Sequence, residues 1–167
     1  MAATYEPIAT TTLGSAANSI TFSAIPNTFT DLRLAIVYTA TTGYGTSLRF
    51  NGDTGTNYSG TYLVGQGASP ASSGRATNQT AMPVEDIEGA TSTPYLVEID
   101  IFSYAGSTNK SALISVAGDR NGAGEILKYV GLWRNTTAIN SVQFKVTNAS
   151  FNLLTGTTAT LYGIKAA

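Results

Sequence analysis

Wherever this chain shows order, apolar and polar residues alternate one by one. In Tyr95-Leu96-Val97-Glu98-Ile99-Asp100-Ile101 the odd positions collect Tyr95, Val97, Ile99 and Ile101, and Glu98 and Asp100 fall on the opposite phase. That is the signature of a strand with one buried face. The same alternation places Leu32, Leu34, Ile36 and Tyr38 against Arg33 and its neighbours, and Val142, Phe144 and Val146 against Gln143, Lys145 and Thr147. Shorter runs at 20–22, 48–50, 62–64, 113–117, 127–133 and 160–164 bring the predicted total to roughly nine to eleven strands. No segment carries an apolar helical period through capped turns. The 26 threonines agree, because a branched Cβ favours the extended backbone.

Turn chemistry punctuates these runs. Asn51-Gly52-Asp53 follows Leu48-Arg49-Phe50, and Asn121-Gly122 lies within residues 118–124 between two strand candidates. Asn-Gly supplies the positive φ angles of a tight hairpin. Residues 65–83, rich in Gly, Ser, Ala and Thr, read as a long surface loop, and a loop of that length in a compact domain is usually functional or mobile. The expected architecture is a single all-β domain over residues 1–167, an antiparallel β-sandwich, jelly-roll-like. A chain of 167 residues can bury about two-thirds of its surface and needs no covalent staples.

Composition removes several kinds of chemistry. The chain has no His and no Cys, which excludes a Cys/His zinc site, a thiol nucleophile, a disulfide framework and a Ser-His-Asp triad. Nine scattered Lys and Arg against ten Asp and Glu form no basic stripe, so no nucleic-acid partner is expected. The start, Met1-Ala2-Ala3-Thr4-Tyr5-Glu6, reads as no Sec export signal, and no apolar run is long enough to cross a membrane as a helix.

The remaining candidates for chemistry are few. Glu98 and Asp100 on one strand face resemble the Glu-x-Asp-x-x-Glu strand of jelly-roll β-glucanases, at about 7 Å by strand rise. Ser103 stands where the third carboxylate would be, leaving no acid/base partner at a glycosidase spacing. Glu85-Asp86-Ile87-Glu88, and Asn51, Asp53 and Asn57 around a turn, are rich in oxygen but match no calcium loop. Residues 118–124 lack the Gly-Lys-Ser/Thr of a phosphate loop. Tyr44, Tyr58, Tyr62, Tyr104, Tyr129 and Trp133 are expected mainly in the core or at its edge. Trp133 beside Arg134 ends a strand, and the pair is the candidate rim of a glycan site. The reading calls for no enzyme activity, no cofactor and no metal ion.

Charged residues make up only 11% of the chain, so its surface must be rich in hydroxyl and amide groups. Such a surface acts through shape and hydrogen bonds and suits subunit packing, since weak net charge removes mutual repulsion. Tyr5, Glu6, Pro7 and Ile8 are candidate partner contacts, in a segment expected to be an edge strand or an arm exchanged with a neighbour. Arg75, Asn78 and Gln79 are the candidates in the long loop.

Tyr5-Glu6-Pro7-Ile8-Ala9-Thr10, the stretch from Ile20-Thr21-Phe22 through Asp31-Leu32-Arg33-Leu34, Arg49-Phe50-Asn51-Gly52-Asp53, and Gly156-Thr157-Thr158-Ala159-Thr160-Leu161-Tyr162-Gly163-Ile164-Lys165 together resemble small β-sandwich virion proteins of tailed bacteriophages of cyanobacterial and marine hosts. The resemblance implies a subunit of the virion, assembled in the host cytoplasm, that decorates the capsid or belongs to the tail or its fibres. The leading expectation is a capsid decoration, or cement, subunit that oligomerises and stabilises the shell by bridging copies of the major capsid protein. Trimers at local three-fold positions fit that role, although the sequence specifies no number. The alternative is a tail-fibre or receptor-binding module that recognises host surface glycan.

Overall fold

A computed structural model describes residues 4–41, 45–85, 93–119 and 122–165. Tyr44, Asp86, Ile87, Glu88, Arg120 and Asn121 lie outside the described residues, and so do the readings made on them. Among the described residues there are twelve strands and no helix: β1 (Tyr5–Thr12), β2 (Ser19–Phe22), β3 (Asp31–Tyr38), β4 (Thr46–Phe50), β5 (Tyr58–Gln66), β6 (Ser72–Gln79), β7 (Met82–Glu85), β8 (Tyr95–Phe102), β9 (Lys110–Asp119), β10 (Gly124–Trp133), β11 (Val142–Val146) and β12 (Thr158–Ile164). They form two antiparallel sheets packed face to face, an eight-stranded one ordered β1-β12-β3-β8-β9-β10-β5-β6 and a four-stranded one ordered β2-β11-β4-β7. The expected β-sandwich is the fold observed.

The topology resolves into a core and an addition. From β1 to β4, and again from β7 to β8 and β11 to β12, each strand lies in the opposite sheet from the one before it. These eight strands, four to a sheet, make a jelly roll. Two hairpins are inserted into it, β5-β6 between β4 and β7, and β9-β10 between β8 and β11. The hairpins pair with each other through β5 and β10 and extend the large sheet beyond β8.

Period-two patterning dictates which side chains face inward. Leu32, Leu34, Ile36 and Tyr38 of β3 and Tyr95, Val97, Ile99 and Ile101 of β8 are all buried, as their alternation predicts. They meet Leu48 and Phe50 of β4 and Val142, Phe144 and Val146 of β11 in one continuous core.

Three expectations are corrected. Residues 65–83 are not a long loop, because a short turn at 67–71 leads into β6 and then β7. The sequence Ser72-Ser73-Gly74-Arg75-Ala76-Thr77-Asn78-Gln79 hides its strand, since an exposed edge strand need not show an apolar face. Asn51 and Gly52 do adopt positive φ, 53° and 67°, but the turn they make is no hairpin. It carries the chain from β4 in one sheet to β5 in the other. Finally, the strands exceed the predicted number because β6 and the short β7 carry no clear alternation.

Close packing between strands rests on glycine at Gly118. The Tyr95 ring lies flat across the backbone of Gly118, its partner on β9, and a Cβ there would fall inside the ring. Replacement Gly118→Ala is expected to destabilise the fold by about 1–3 kcal/mol through overpacking. Gly124→Ala, where a Cβ would meet nothing within 4 Å, is expected to change stability by less than about 0.5 kcal/mol. Chemical denaturation midpoints of the two variants check the contrast.

Candidate functional site

Trp133 forms no rim for a glycan. Its side chain is fully buried, with the ring stacked on Tyr58 at 6.2 Å and packed against Phe50 at 5.5 Å. The indole Nε1 donates to Asp53 Oδ2 at 2.7 Å. The end of β10 points inward because the turn after β4 folds back over it. Trp133 is therefore a core residue and offers no face to a sugar, which corrects its placement at a rim. Arg134, the next residue, is exposed and donates to Thr56 O (2.7 Å), Ser59 Oγ (3.0 Å) and Asn78 Oδ1 (3.3 Å). The structure thus brings Arg134 together with Asn78, and the contact joins β6 to the β4-β5 turn.

The oxygen-rich turn at Asn51, Asp53 and Asn57 is occupied by the protein itself. Asp53 accepts from Gly55 N (2.8 Å), Asn57 Nδ2 (2.9 Å) and the Trp133 indole. Asn51 Oδ1 accepts from Asn140 N and Ser141 N, and its Nδ2 donates to Ala138 O. Hydrogen bonds from Asn57 and Trp133 hold the Asp53 carboxyl below the usual carboxylate range. These oxygens fasten the turn and are not arranged around an ion. Among the described residues, no group of three or more His, Cys, Asp or Glu stands together as a metal site would require.

Glu98 and Asp100 share the outer face of β8, as alternation predicts. Asp100 is engaged by Arg33, with Nε to Oδ1 at 2.6 Å and Nη2 to Oδ2 at 2.7 Å, a bidentate pair that also keeps the guanidinium firmly protonated.

The partner-contact residues fall at the two opposite edges of the eight-stranded sheet. Tyr5, Glu6, Pro7 and Ile8 belong to β1, which pairs only with β12, while Arg75, Asn78 and Gln79 belong to β6, which pairs only with β5. Seven strand spacings separate these edges, about 34 Å. Of the two arrangements expected for the N-terminal segment, the chain shows the edge strand. Pro7 and a bulge between Pro7 and Ala9 interrupt its ladder, a common means of blunting an edge. Glu6 accepts from Lys165 Nζ at 2.7 Å, and Ile8 packs partly against the core.

Between the edges lies a surface that the sequence reading missed. The pairing register aligns Val37, Leu96, Ala117 and Ile126 in one row across β3, β8, β9 and β10 on the outer face of the large sheet. The next row is Ala35, Glu98, Ser115, Lys128 and Leu63, and the third is Arg33, Asp100, Leu113, Val130 and Thr61. Val37, Leu96, Leu63, Ile126 and Val130 are between 43% and 63% exposed. Tyr5 closes one side of the face, its ring 5.7 Å from the Arg33 guanidinium. The signal for this surface was present in Ile126-Leu127-Lys128-Tyr129-Val130, where apolar residues occupy both phases and so call for cover on both faces.

The buried corner supports a sharp prediction. Asp53→Ala is expected to cost about 2–3 kcal/mol, because it strands a buried indole N–H and removes two further hydrogen bonds. An Asp carboxyl titrates near about 3.9 when unfolded, and here its folded pKa is lower. Its contribution is therefore complete above the unfolded value and is lost as pH falls through the folded one. Denaturation of native chain and variant from pH 6 to pH 2 is expected to show a stability gap that narrows toward the acid end.

No protein-family model matches this chain, and no curated protein matches it.

Proposed function

We propose that this chain is a non-enzymatic structural subunit that associates with a second copy of itself through the outer face of its eight-stranded sheet. The observation that carries the reading is the composition of that face. Large apolar side chains stand exposed in rows, with Glu98 and Lys128 placed on either side of Ser115 on the central strand β9. A two-fold axis along β9 would set Glu98 of one copy against Lys128 of the other, twice, and Leu96 against Ile126. A surface of this kind is self-complementary, the condition for an isologous contact. The face measures about 34 Å across the strands and about 23 Å along them, roughly 800 Å², which matches one side of a standard interface.

The setting follows from the resemblance to small phage virion proteins, so the proposed role is a capsid decoration subunit. Paired sandwiches would bridge neighbouring capsid subunits and add buried area where internal pressure strains the joints. The self-complementary face favours pairs over the trimer that the role alone suggests. Engagement of Asp100 by Arg33 supports a non-catalytic reading, since it leaves Glu98 without a free carboxylate partner. The glycan-binding alternative loses its main support at the strand end, where Trp133 is buried.

Sedimentation equilibrium tests the contact. The native chain is expected to pair, Glu98→Lys and Lys128→Glu each to weaken pairing by about ten-fold or more, and the double reversal to restore it. A native chain that stays monomeric at tens of micromolar, or a double variant no better than the singles, would overturn the interface. Electron microscopy of phage particles lacking the protein and incubated with it is expected to show regular density over the shell. Density confined to the tail would replace decoration with a tail role.

A further inference from the structure

The inserted hairpins do more than widen the sheet. Their inner face overhangs β7, the edge of the small sheet, and encloses with β4 and β11 a cleft of about 510 Å³. That volume lies within the range of small-molecule sites. Its roof is built by β5 and β10, where the rings of Tyr62 and Tyr129 lie parallel at 6.1 Å and 10°, with Leu127 and Val64 beside them. Tyr129 can lie flat because Gly60 on β5 leaves room for its ring.

The opposite wall is cationic. Arg49 of β4 and Lys145 of β11 both line the cleft, and among the described residues no carboxylate does. The one hydrogen bond of Arg49 among the described residues runs from Nε to the Thr80 carbonyl at 3.2 Å. Lys145 has no hydrogen-bond or ion-pair partner among the described residues. Partial burial and the neighbouring Arg49 charge pull the Lys145 ammonium below its usual range. Two like charges side by side with no counter-charge among the described residues are costly, and in a chain with nine basic residues their coincidence in one cleft asks for an anion.

The cleft also holds unspent hydrogen-bonding capacity. Tyr129 and Thr46 are among its lining residues, and their hydroxyls, buried behind the cleft surface, have no partner among the described residues. Ser47 and Gln79 add further polar groups at its margin. Gln79 thereby gains a role different from the loop contact expected of it.

We infer that this cleft binds an acidic saccharide, a mono- or disaccharide whose carboxylate pairs with Arg49 and Lys145 while its ring lies against Tyr62, Val64 and Leu127. Hydroxyl groups of the sugar would meet Ser47 and Gln79, and its C–H face the apolar roof. The site is independent of the self-association proposed above, because it opens beneath the inner face of the hairpins, whereas pairing uses the outer face.

Titration of the 167-residue chain with digalacturonate, followed by amide NMR shifts or calorimetry, tests this directly. Binding is expected at micromolar to millimolar concentration, with shifts centred on Leu127, Tyr129 and Lys145. Lys145→Gln and Arg49→Gln are each expected to weaken it by about ten-fold or more. Lys165→Gln, at the far edge, is expected to leave it unchanged. Raising the salt concentration is expected to weaken binding of digalacturonate. Lactose binding as tightly as digalacturonate would overturn the acidic specificity, and inorganic phosphate binding as tightly would overturn the saccharide. Absence of binding by all three probes, or binding that survives both charge-removing variants, would overturn the site itself. Circular dichroism of each variant identifies any loss that comes from unfolding.

Discussion

One carboxylate holds the two parts of this molecule together. Asp53 stands where the chain leaves the jelly roll for its first inserted hairpin, and the Trp133 indole it grips stands where the chain returns from the second. The hydrogen bond closes a loop of 80 residues, and around it Phe50, Tyr58 and Trp133 form an aromatic corner. The Tyr58 hydroxyl accepts from Phe50 N at 3.1 Å, and burial pushes its pKa up to about 12, so it stays neutral. With no cysteine to form a disulfide, a partly buried hydrogen bond to a charged group is among the strongest directional ties the chain can make. The position of the hairpins, and with it both the outer face and the cleft beneath, depends on that corner.

A second fastening of the same kind uses the opposite charge. Lys110 opens β9 with its side chain fully buried, and its ammonium donates to the backbone carbonyls of Gly106, Thr108 and Thr136. Burial lowers its pKa. The carbonyls cap the charge and tie the β8-β9 turn to the segment after β10. Nearby, the Tyr104 hydroxyl donates to the Pro26 carbonyl and accepts from Phe29 N, which draws the β2-β3 connection to the same end. In a chain so poor in charge, two of its few ionised groups are spent on loops, and this explains how long connections stay ordered without an apolar core of their own.

Much of the fold was legible because alternation is a local property. β3, β8 and β11 carry it almost without fault, and each buries the phase expected. β6 was illegible because an exposed edge strand has no buried phase to display. The position of Trp133 at the end of an apolar run suggests a rim, and only the distant Asp53 reveals that the end is covered. Leu96 and Ile126 were overlooked because they share a phase with Glu98 and Lys128, and become a row only when β8, β9 and β10 are set in register. The cleft was out of reach for a stronger reason. Arg49 and Lys145 come from the small sheet and Tyr62 and Tyr129 from the large one, so the site exists only in tertiary structure.

The place of β12 bears on how the molecule comes into being. It lies between β1 and β3, joined to β1 from Thr158 to Ile164 and to β3 over the same residues, so the last of the twelve described strands completes a ladder begun by the first of them. Pairings of such long sequence separation carry a large loop-closure entropy and form slowly. Until β12 arrives, β1 has no partner and β3 presents an open edge to any other chain. The large sheet is therefore continuous only after the other eleven strands among the described residues have been made, and a chain that stops short of β12 lacks the finished surface. Timing of assembly is thus written into strand order, with premature association through an unfinished sheet as the hazard that strand order creates.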